Sequence, residues 1–491
     1  MLKNKNYLRP IMFVGTGSDV GKSVINAGFC RILLQDGFSP APFKAQNMSL
    51  NSYATPNGLE IGRAQAVQAE ACGIECMAEM NPVLLKPTSD MKAQVILNGK
   101  PVGTQSASEY FNKIDRYKLF NEAIKSFNTL AQKYNPVVIE GAGSISELNL
   151  RDKDITNMRV ALKTGAATFL IADIDRGGVF GSIYGTIELL TPEERKLIKG
   201  IIINKFRGDI NLFTDGKQIL EKLTGVPVIG VLPYFNDIII DDEDSVALKK
   251  KIKRESRSRI DIAVVLLRHM SNFTDFNVLE LMPEVNLFYS HDEEEVQNAD
   301  IVIIPGSKNT ISDLMYLRKT GMAKAILKAY KKGKSVYGIC GGYQMMGKEI
   351  HDPFHVESDV GYIPGLGILP VKTTLTKEKI TKQCHFSFRD KTGLCKGYEI
   401  HMGETETNDN SPLCKTDTGF DGYYLNNKAW GTYIHGIFDN ALVINEILKQ
   451  VQNVRIKEFD IKSFKDRQYN KLATLIRKNS DMEYIYKVLK P

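Results

Sequence analysis

Val336-Tyr337-Gly338-Ile339-Cys340-Gly341-Gly342-Tyr343-Gln344 runs from an apolar strand through Gly-x-Cys-Gly-Gly into a helix-compatible segment. This is the cysteine form of a nucleophile elbow. A tight strand-to-helix turn needs glycine around the reactive residue, because side chains there would clash. The turn pushes the sulfur out of the sheet and aims backbone N–H groups at the place where an oxyanion would form. The following helix N-terminus favours thiolate over thiol. A buried structural cysteine would not need this frame. Gly341 and the glycine turn at Gly306 are the candidate oxyanion donors.

A nucleophilic cysteine needs a base. His435, in Trp430-Gly431-Thr432-Tyr433-Ile434-His435-Gly436, follows a short apolar strand and is the best candidate. Cysteine followed by histidine on an α/β scaffold points to acyl transfer through a thioester. His351 and His355 have the spacing of a helical metal pair, but Pro353 lies between them and argues against that helix. His401 is either a site-lining residue or an ordinary strand histidine.

A second centre lies near the start of the chain. The apolar strand Ile11-Met12-Phe13-Val14 leads into Gly15-Thr16-Gly17-Ser18-Asp19-Val20-Gly21-Lys22-Ser23 and then a helical pattern. This is a phosphate cradle: loop N–H groups and the helix dipole hold phosphates, Lys22 reaches the terminal ones, and the Ser23 hydroxyl is suited to Mg²⁺. Thr16 stands where the strict Walker pattern has glycine, so the loop is a variant of it. Pro136-Val137-Val138-Ile139-Glu140 is a buried parallel strand ending in a carboxylate, which makes Glu140 the second candidate Mg²⁺ ligand. Further strands end at Asp173-Ile174-Asp175-Arg176 and at Asn204-Lys205, where Asn204 is a candidate for reading an adenine edge.

The 491 residues exceed one compact core, and 43% hydrophobic with 25% charged residues are ordinary globular values. A net charge of +7 suits anionic small substrates. No aromatic-studded basic stripe argues for nucleic acid. The seven cysteines form no CxxC pair, which points to a reducing, cytoplasmic setting. No signal peptide or membrane-spanning run is expected. Acid-rich 237–244 gives way to strongly basic 249–259, and strand patterns restart at Ile260. The expected organisation is therefore two α/β domains, 1–236 and 260–447, a charged linker at 237–259 and a helical tail at 448–491.

A cysteine acyl-transfer site and an ATP site on one chain suggest a joint chemistry. Glutamine's amide yields ammonia, ATP phosphorylates a substrate carboxylate, and ammonia displaces the phosphate. At this level the chain resembles the glutamine-hydrolysing cobyric acid synthase family of cobalamin biosynthesis. The resemblance is carried by the phosphate loop, Pro42-Phe43-Lys44-Ala45-Gln46-Asn47-Met48-Ser49-Leu50-Asn51-Ser52, Glu60-Ile61-Gly62-Arg63-Ala64-Gln65-Ala66, Asn81-Pro82-Val83-Leu84-Leu85-Lys86-Pro87, Ala172-Asp173-Ile174-Asp175-Arg176-Gly177-Gly178-Val179-Phe180, Asn204-Lys205-Phe206-Arg207-Gly208-Asp209, the 305–310 turn, the Cys340 elbow and the His435 segment.

The resemblance implies a dethiobiotin synthetase-like P-loop domain joined to a flavodoxin-like class I glutamine amidotransferase domain. It implies amidation of the b, d, e and g carboxylates of adenosylcobyrinic a,c-diamide with glutamine, ATP and Mg²⁺. Carried over by position, Thr16, Gly17, Gly21, Lys22, Ser23, Lys44 and Asn204 bind ATP. Lys44 neutralises the phosphoryl group in transfer. Gln46, Asn47, Asp175 and Arg176 line the corrinoid or acyl-phosphate site. One departure is visible. Class I triads carry His-x-Glu, and Ile437 occupies the glutamate position, so a Cys340–His435 dyad is expected; Asp439 is offset from it. The rival within the same architecture is cobyrinic acid a,c-diamide synthase. A ParA- or MinD-like ATPase switch would carry a signature lysine where Gly17 stands and would lack the Cys340/His435 half.

Overall fold

The computed structural model describes residues 7–89, 92–106, 110, 116–241, 259–451 and 459–491. Two α/β bodies meet along a polar seam. In the first, six parallel strands among the described residues lie in the order Val228–Pro233, Ile198–Phe206, Ala167–Asp173, Ile11–Gly15, Val137–Glu140, Ala41–Phe43. The central strands are buried along their whole length, as expected of a parallel sheet covered on both faces. The strand order reverses beside Ile11–Gly15, and the phosphate loop leaves from that strand's carboxyl end, where ligands of such sheets bind.

A second layer grows from this body toward the other. Gln46–Met48, Val83–Ser89, Lys92–Leu97 and Lys100–Ser106 form a four-stranded sheet. The second body has a mostly parallel sheet in the order Val285–Ser290, Ile260–Val265, Ile301–Ile304, Ser335–Ile339, Ala429–Thr432, Tyr423–Asn426, with the last strand antiparallel. The region between the Cys340 elbow and His435 departs from simple strand–helix alternation. It is dominated by a long antiparallel hairpin, Val371–Phe388 with Cys395–Thr407. That hairpin runs alternately buried and exposed, as a one-sided sheet does.

Most of the charged segment read as a linker, residues 242–258, lies outside the described residues. The last two helices, Ile461–Lys478 and Met482–Leu489, pack on the first body rather than trailing from the second. Leu472, Ile476, Ile485 and Leu489 share one apolar core with Phe13, Phe29 and Phe169. The phosphate-loop helix Lys22–Gln35 lies against the first of these helices, and a Cβ at Gly28 would come within 2.2 Å of Ile476 Cδ1. Arg31 pairs with Asp466 at 2.6 Å across the same contact.

Because Leu472 is fully buried against the phosphate-loop helix, Leu472→Ala should cost about 2–5 kcal/mol. Urea unfolding followed by a probe in the N-terminal body checks this.

Candidate active site

Cys340 stands at the end of the strand Ser335–Ile339 with φ +51° and ψ −108°, a conformation that side-chain-bearing residues seldom adopt. Its glycine neighbours are dictated by contact. A Cβ at Gly342 would fall 1.9 Å from Ile304 O, and one at Gly341 would fall 2.8 Å from Ser307 N. The elbow is therefore pressed onto the turn that carries Gly306. Gly306 in turn faces the histidine, since a Cβ there would lie 3.3 Å from His435 Cε1. Cys340, Gly341, Gly306 and His435, named from different parts of the sequence, meet at one point.

His435 is buried beside the elbow, while the Cys340 thiol donates to Ile400 O at 3.7 Å. Its Nδ1 lies 2.7 Å from Asp275 Oδ2, and the Gly436 N–H donates to Asp275 Oδ1 at 3.0 Å. The expectation of a dyad is corrected by this contact. A carboxylate is present, but it comes from the turn Phe273–Phe276 instead of the position two residues after the histidine. Ile437 packs in the apolar core. Burial alone would push the imidazole down. The charge and hydrogen bond of Asp275, helped by the nearby Cys340, outweigh it and raise His435 to about 10. The pair thus favours imidazolium across neutral pH. Asp275 carries no motif; its one signal is an acidic residue in a loop at the carboxyl end of the strand Ile260–Val265.

A small cavity of about 40 Å³ opens beside Cys340. Lys86, Lys308, Lys379, Glu357 and His401 are among the residues lining it. Lys86 comes from the first body. Glu60, also from the first body, pairs with Lys86 at 2.7 Å and with Lys379. Burial pushes Lys379 down to about 7 against the pull of Glu60, and pushes Glu357 up to about 7. His401 is thus site-lining, stacked on Tyr433 at 3.8 Å.

The other centre is a cavity of about 1180 Å³ over the phosphate loop. Gly21, Lys22, Ser23, Lys44, Gln46, Asn47, Glu140 and Arg176 line it together. Lys22 Nζ donates to Gly17 O at 2.8 Å and Gly143 O at 2.9 Å, so the lysine lies folded over its own loop. Glu140 accepts from Ser23 Oγ at 2.8 Å, Lys44 Nζ at 2.7 Å and Gln68 Nε2 at 2.6 Å. A hydroxyl and a carboxylate in contact are the hard oxygen donors Mg²⁺ takes when phosphates and water complete its shell. Gln68, on the helix Arg63–Ala71, was absent from the sequence-derived set, as was Arg116, whose guanidinium lines the cavity and reaches Gln46 Oε1 at 3.4 Å.

Three further candidates have these contacts. The Asn204 amide donates to Val20 O at 2.8 Å and so braces the phosphate loop. Asp175 is taken up by Arg207 at 2.6 Å on the surface and also lies outside the lining. Thr16 acts through its backbone, donating to Ile171 O at 3.0 Å. The two cavities are close in the fold. Gln46–Met48 lines the large one, and its partner strand, with Leu85 opposite Met48, carries Lys86 into the small one.

Comparison with known proteins adds independent findings. Residues 11–246 match the CobQ/CobB/MinD/ParA nucleotide binding domain, and residues 261–443 match the CobB/CobQ-like glutamine amidotransferase domain. A relative from Parabacteroides distasonis named "Cobyric acid synthase" is 57% identical over 99% of this chain and 100% of its own. Relatives of the same name from Bacteroides fragilis and Phocaeicola vulgatus are 56% and 53% identical, each over 99% of both chains. The chain belongs to the cobyric acid synthase family. It is an enzyme of the glutamine amidotransferase type with an ATP-binding domain, and the partner-binding ATPase alternative falls away. No helix among the described residues is long and apolar enough to cross a membrane. All seven cysteines are free thiols.

For a cobyric acid synthase with this geometry, Asp275→Asn should lower glutamate release from glutamine about a hundred- to ten-thousandfold, because it removes the charge that holds His435 in register. Steady-state glutaminase assays check this.

Proposed function

We propose that this enzyme amidates the b, d, e and g carboxylates of adenosylcobyrinic acid a,c-diamide, drawing nitrogen from glutamine and driving each round with ATP. The observation that carries this reading is the pairing, on one chain of this family, of a Cys340–His435–Asp275 cluster with a phosphate cradle across a shared strand pair. The Cys340 thiolate attacks glutamine's amide carbon. Backbone N–H groups of Gly341 and of the Gly306 turn steady the oxyanion. His435 gives its proton to the leaving nitrogen, which departs as ammonia, and then takes one from the water that hydrolyses the glutamyl thioester. Lysines 308, 379 and 86 and the Glu357 carboxyl offer both signs of charge for the amino-acid end of glutamine.

At the other centre a corrinoid carboxylate attacks the terminal phosphoryl of ATP, giving an acyl phosphate and ADP; ammonia then displaces phosphate. Lys22 and Lys44 neutralise charge on the phosphoryl in transfer. Mg²⁺, held by Ser23 and Glu140, would draw the phosphates together and offset their charge. Substrate carboxylates meet a cavity wall bearing Arg116, Arg151, Lys153, Arg159 and Arg176, and guanidinium forks suit bidentate carboxylate recognition. Gln46 and Asn47 line the same wall. Asp175 has no part in this reading.

Two variants separate the centres. Cys340→Ala should abolish amidation from glutamine and keep it with ammonium salts; Lys22→Ala should stop it with either source. Product masses from adenosylcobyrinic a,c-diamide give the answer. A folded Cys340→Ala enzyme that also fails with ammonium would sink the split-site mechanism. Diamidation of cobyrinic acid in place of the later steps would move the enzyme to the earlier reaction.

A further inference from the structure

Asp275 is held by its own body only in part. The turn that carries it closes through Asp275 N–H to Asn272 O at 3.0 Å, and Asn272 sits in the left-handed region at φ +53°. Asparagine tolerates that conformation better than most residues. Within the same body Tyr289 OH also donates to Phe273 O at 3.4 Å, and two further restraints on the turn come across the seam, from the last part of the 43–52 run. The Phe273 N–H donates to Asn51 Oδ1 at 3.1 Å, and the Ser52 N–H donates to Asn272 Oδ1 at 3.1 Å. Two consecutive residues of one body thus exchange hydrogen bonds with two consecutive residues of the other.

The exchange is closed by Tyr398. Asn272 Nδ2 donates to its hydroxyl at 3.3 Å, and that hydroxyl lies 3.4 Å from Ser52 O. The same tyrosine ring stacks on His435 with centroids 5.4 Å apart. Asn51, Ser52, Asn272 and Asp275 are each at most 3% exposed. Water cannot replace a lost partner there, so the set has one good arrangement.

Asn51 and Ser52 are themselves firmly seated in the first body. The Asn51 N–H donates to Ser49 Oγ at 3.0 Å, Asn51 O accepts from the Arg63 N–H at 3.1 Å, and Lys86 Nζ donates to Ser52 Oγ at 2.8 Å. The front of the same run, Gln46 to Met48, lines the nucleotide cavity.

We infer that Asn51 and Ser52, in the nucleotide-binding body, are positioning residues for glutamine hydrolysis in the other body: they fix the 272–275 turn so that Asp275 meets His435 Nδ1. The inference rests on the glutaminase reading of Cys340. It makes the glutaminase centre complete only when the first body is docked on it.

The test uses the full-length enzyme and two variants. Asn51→Leu removes the acceptor for the Phe273 N–H. Asn272→Gly removes the acceptor for the Ser52 N–H at a position whose φ suits glycine. Both should lower kcat for glutamate release about ten- to a hundredfold, the scale of a small misplacement of reacting groups. KM for glutamine should stay within about twofold, the signature of an interaction realised in the transition state. Amidation from ammonium salts should keep its rate, which also reports folding. Unchanged kcat in either variant, a raised KM with unchanged kcat, or ammonium-dependent amidation falling in parallel would overturn the positioning role. Wild-type enzyme that releases no glutamate would instead overturn the reading of Cys340 on which it rests.

Discussion

A carboxylate and an imidazole, both almost fully buried and 2.7 Å apart, set the terms for the rest of this structure. Burying either charge alone is costly, so each is stable only against the other. The arrangement also has to leave the far imidazole nitrogen facing Cys340. Meeting both demands requires the Phe273–Phe276 turn, the His435 strand and the Cys340 elbow to converge. Small residues at 306, 341 and 342 allow that convergence by letting backbones touch. Asp275 lies at the seam with the nucleotide-binding body, so the chemistry of one body depends on how well the other is docked.

The nucleotide centre follows similar logic with the opposite outcome. Glu140 is buried but receives three donors, from Lys44, Ser23 and Gln68, so it is satisfied before any ligand arrives. Lys22 is likewise satisfied by loop carbonyls. The cationic far wall of the cavity then matches a substrate bearing several carboxylates. Between the centres the Glu60, Lys86 and Lys379 cluster lies on the seam beside Cys340.

What the sequence disclosed was local. The Cys340 elbow and the Lys22–Ser23 loop are each written within a dozen residues, because glycine placement and helix starts are short-range constraints. His435 was found because its strand is apolar and ends in a polar residue. Asp275 was missed because its partner is 160 positions away and nothing in Asn272-Phe273-Thr274-Asp275 sets it apart from an ordinary turn. The bracing contact of Asn204 with Val20 O was hidden for a related reason: a polar residue at a strand's carboxyl end points toward ligand and loop alike. Of the 43–52 run, sequence assigns Lys44 to the phosphoryl group and Gln46 and Asn47 to substrate, and leaves Asn51 and Ser52 without a role. The front half of the run lines the cavity, while Asn51 and Ser52 belong to the seam. The placement of the C-terminal helices on the first body was equally out of reach, since helical spacing says which face is apolar and nothing about what covers it.

The central claim is that both centres work on one nitrogen atom within one enzyme. The most direct measurement supplies glutamine carrying a heavy nitrogen isotope in its amide, together with Mg-ATP, adenosylcobyrinic a,c-diamide and an excess of unlabelled ammonium. The isotope content of the corrinoid amides is then read by mass spectrometry. The account predicts amides that carry the heavy isotope well above its share of the free ammonia pool. Amides with the isotope content of the bulk pool would contradict it, and would mean that the two bodies share a chain without sharing a nitrogen.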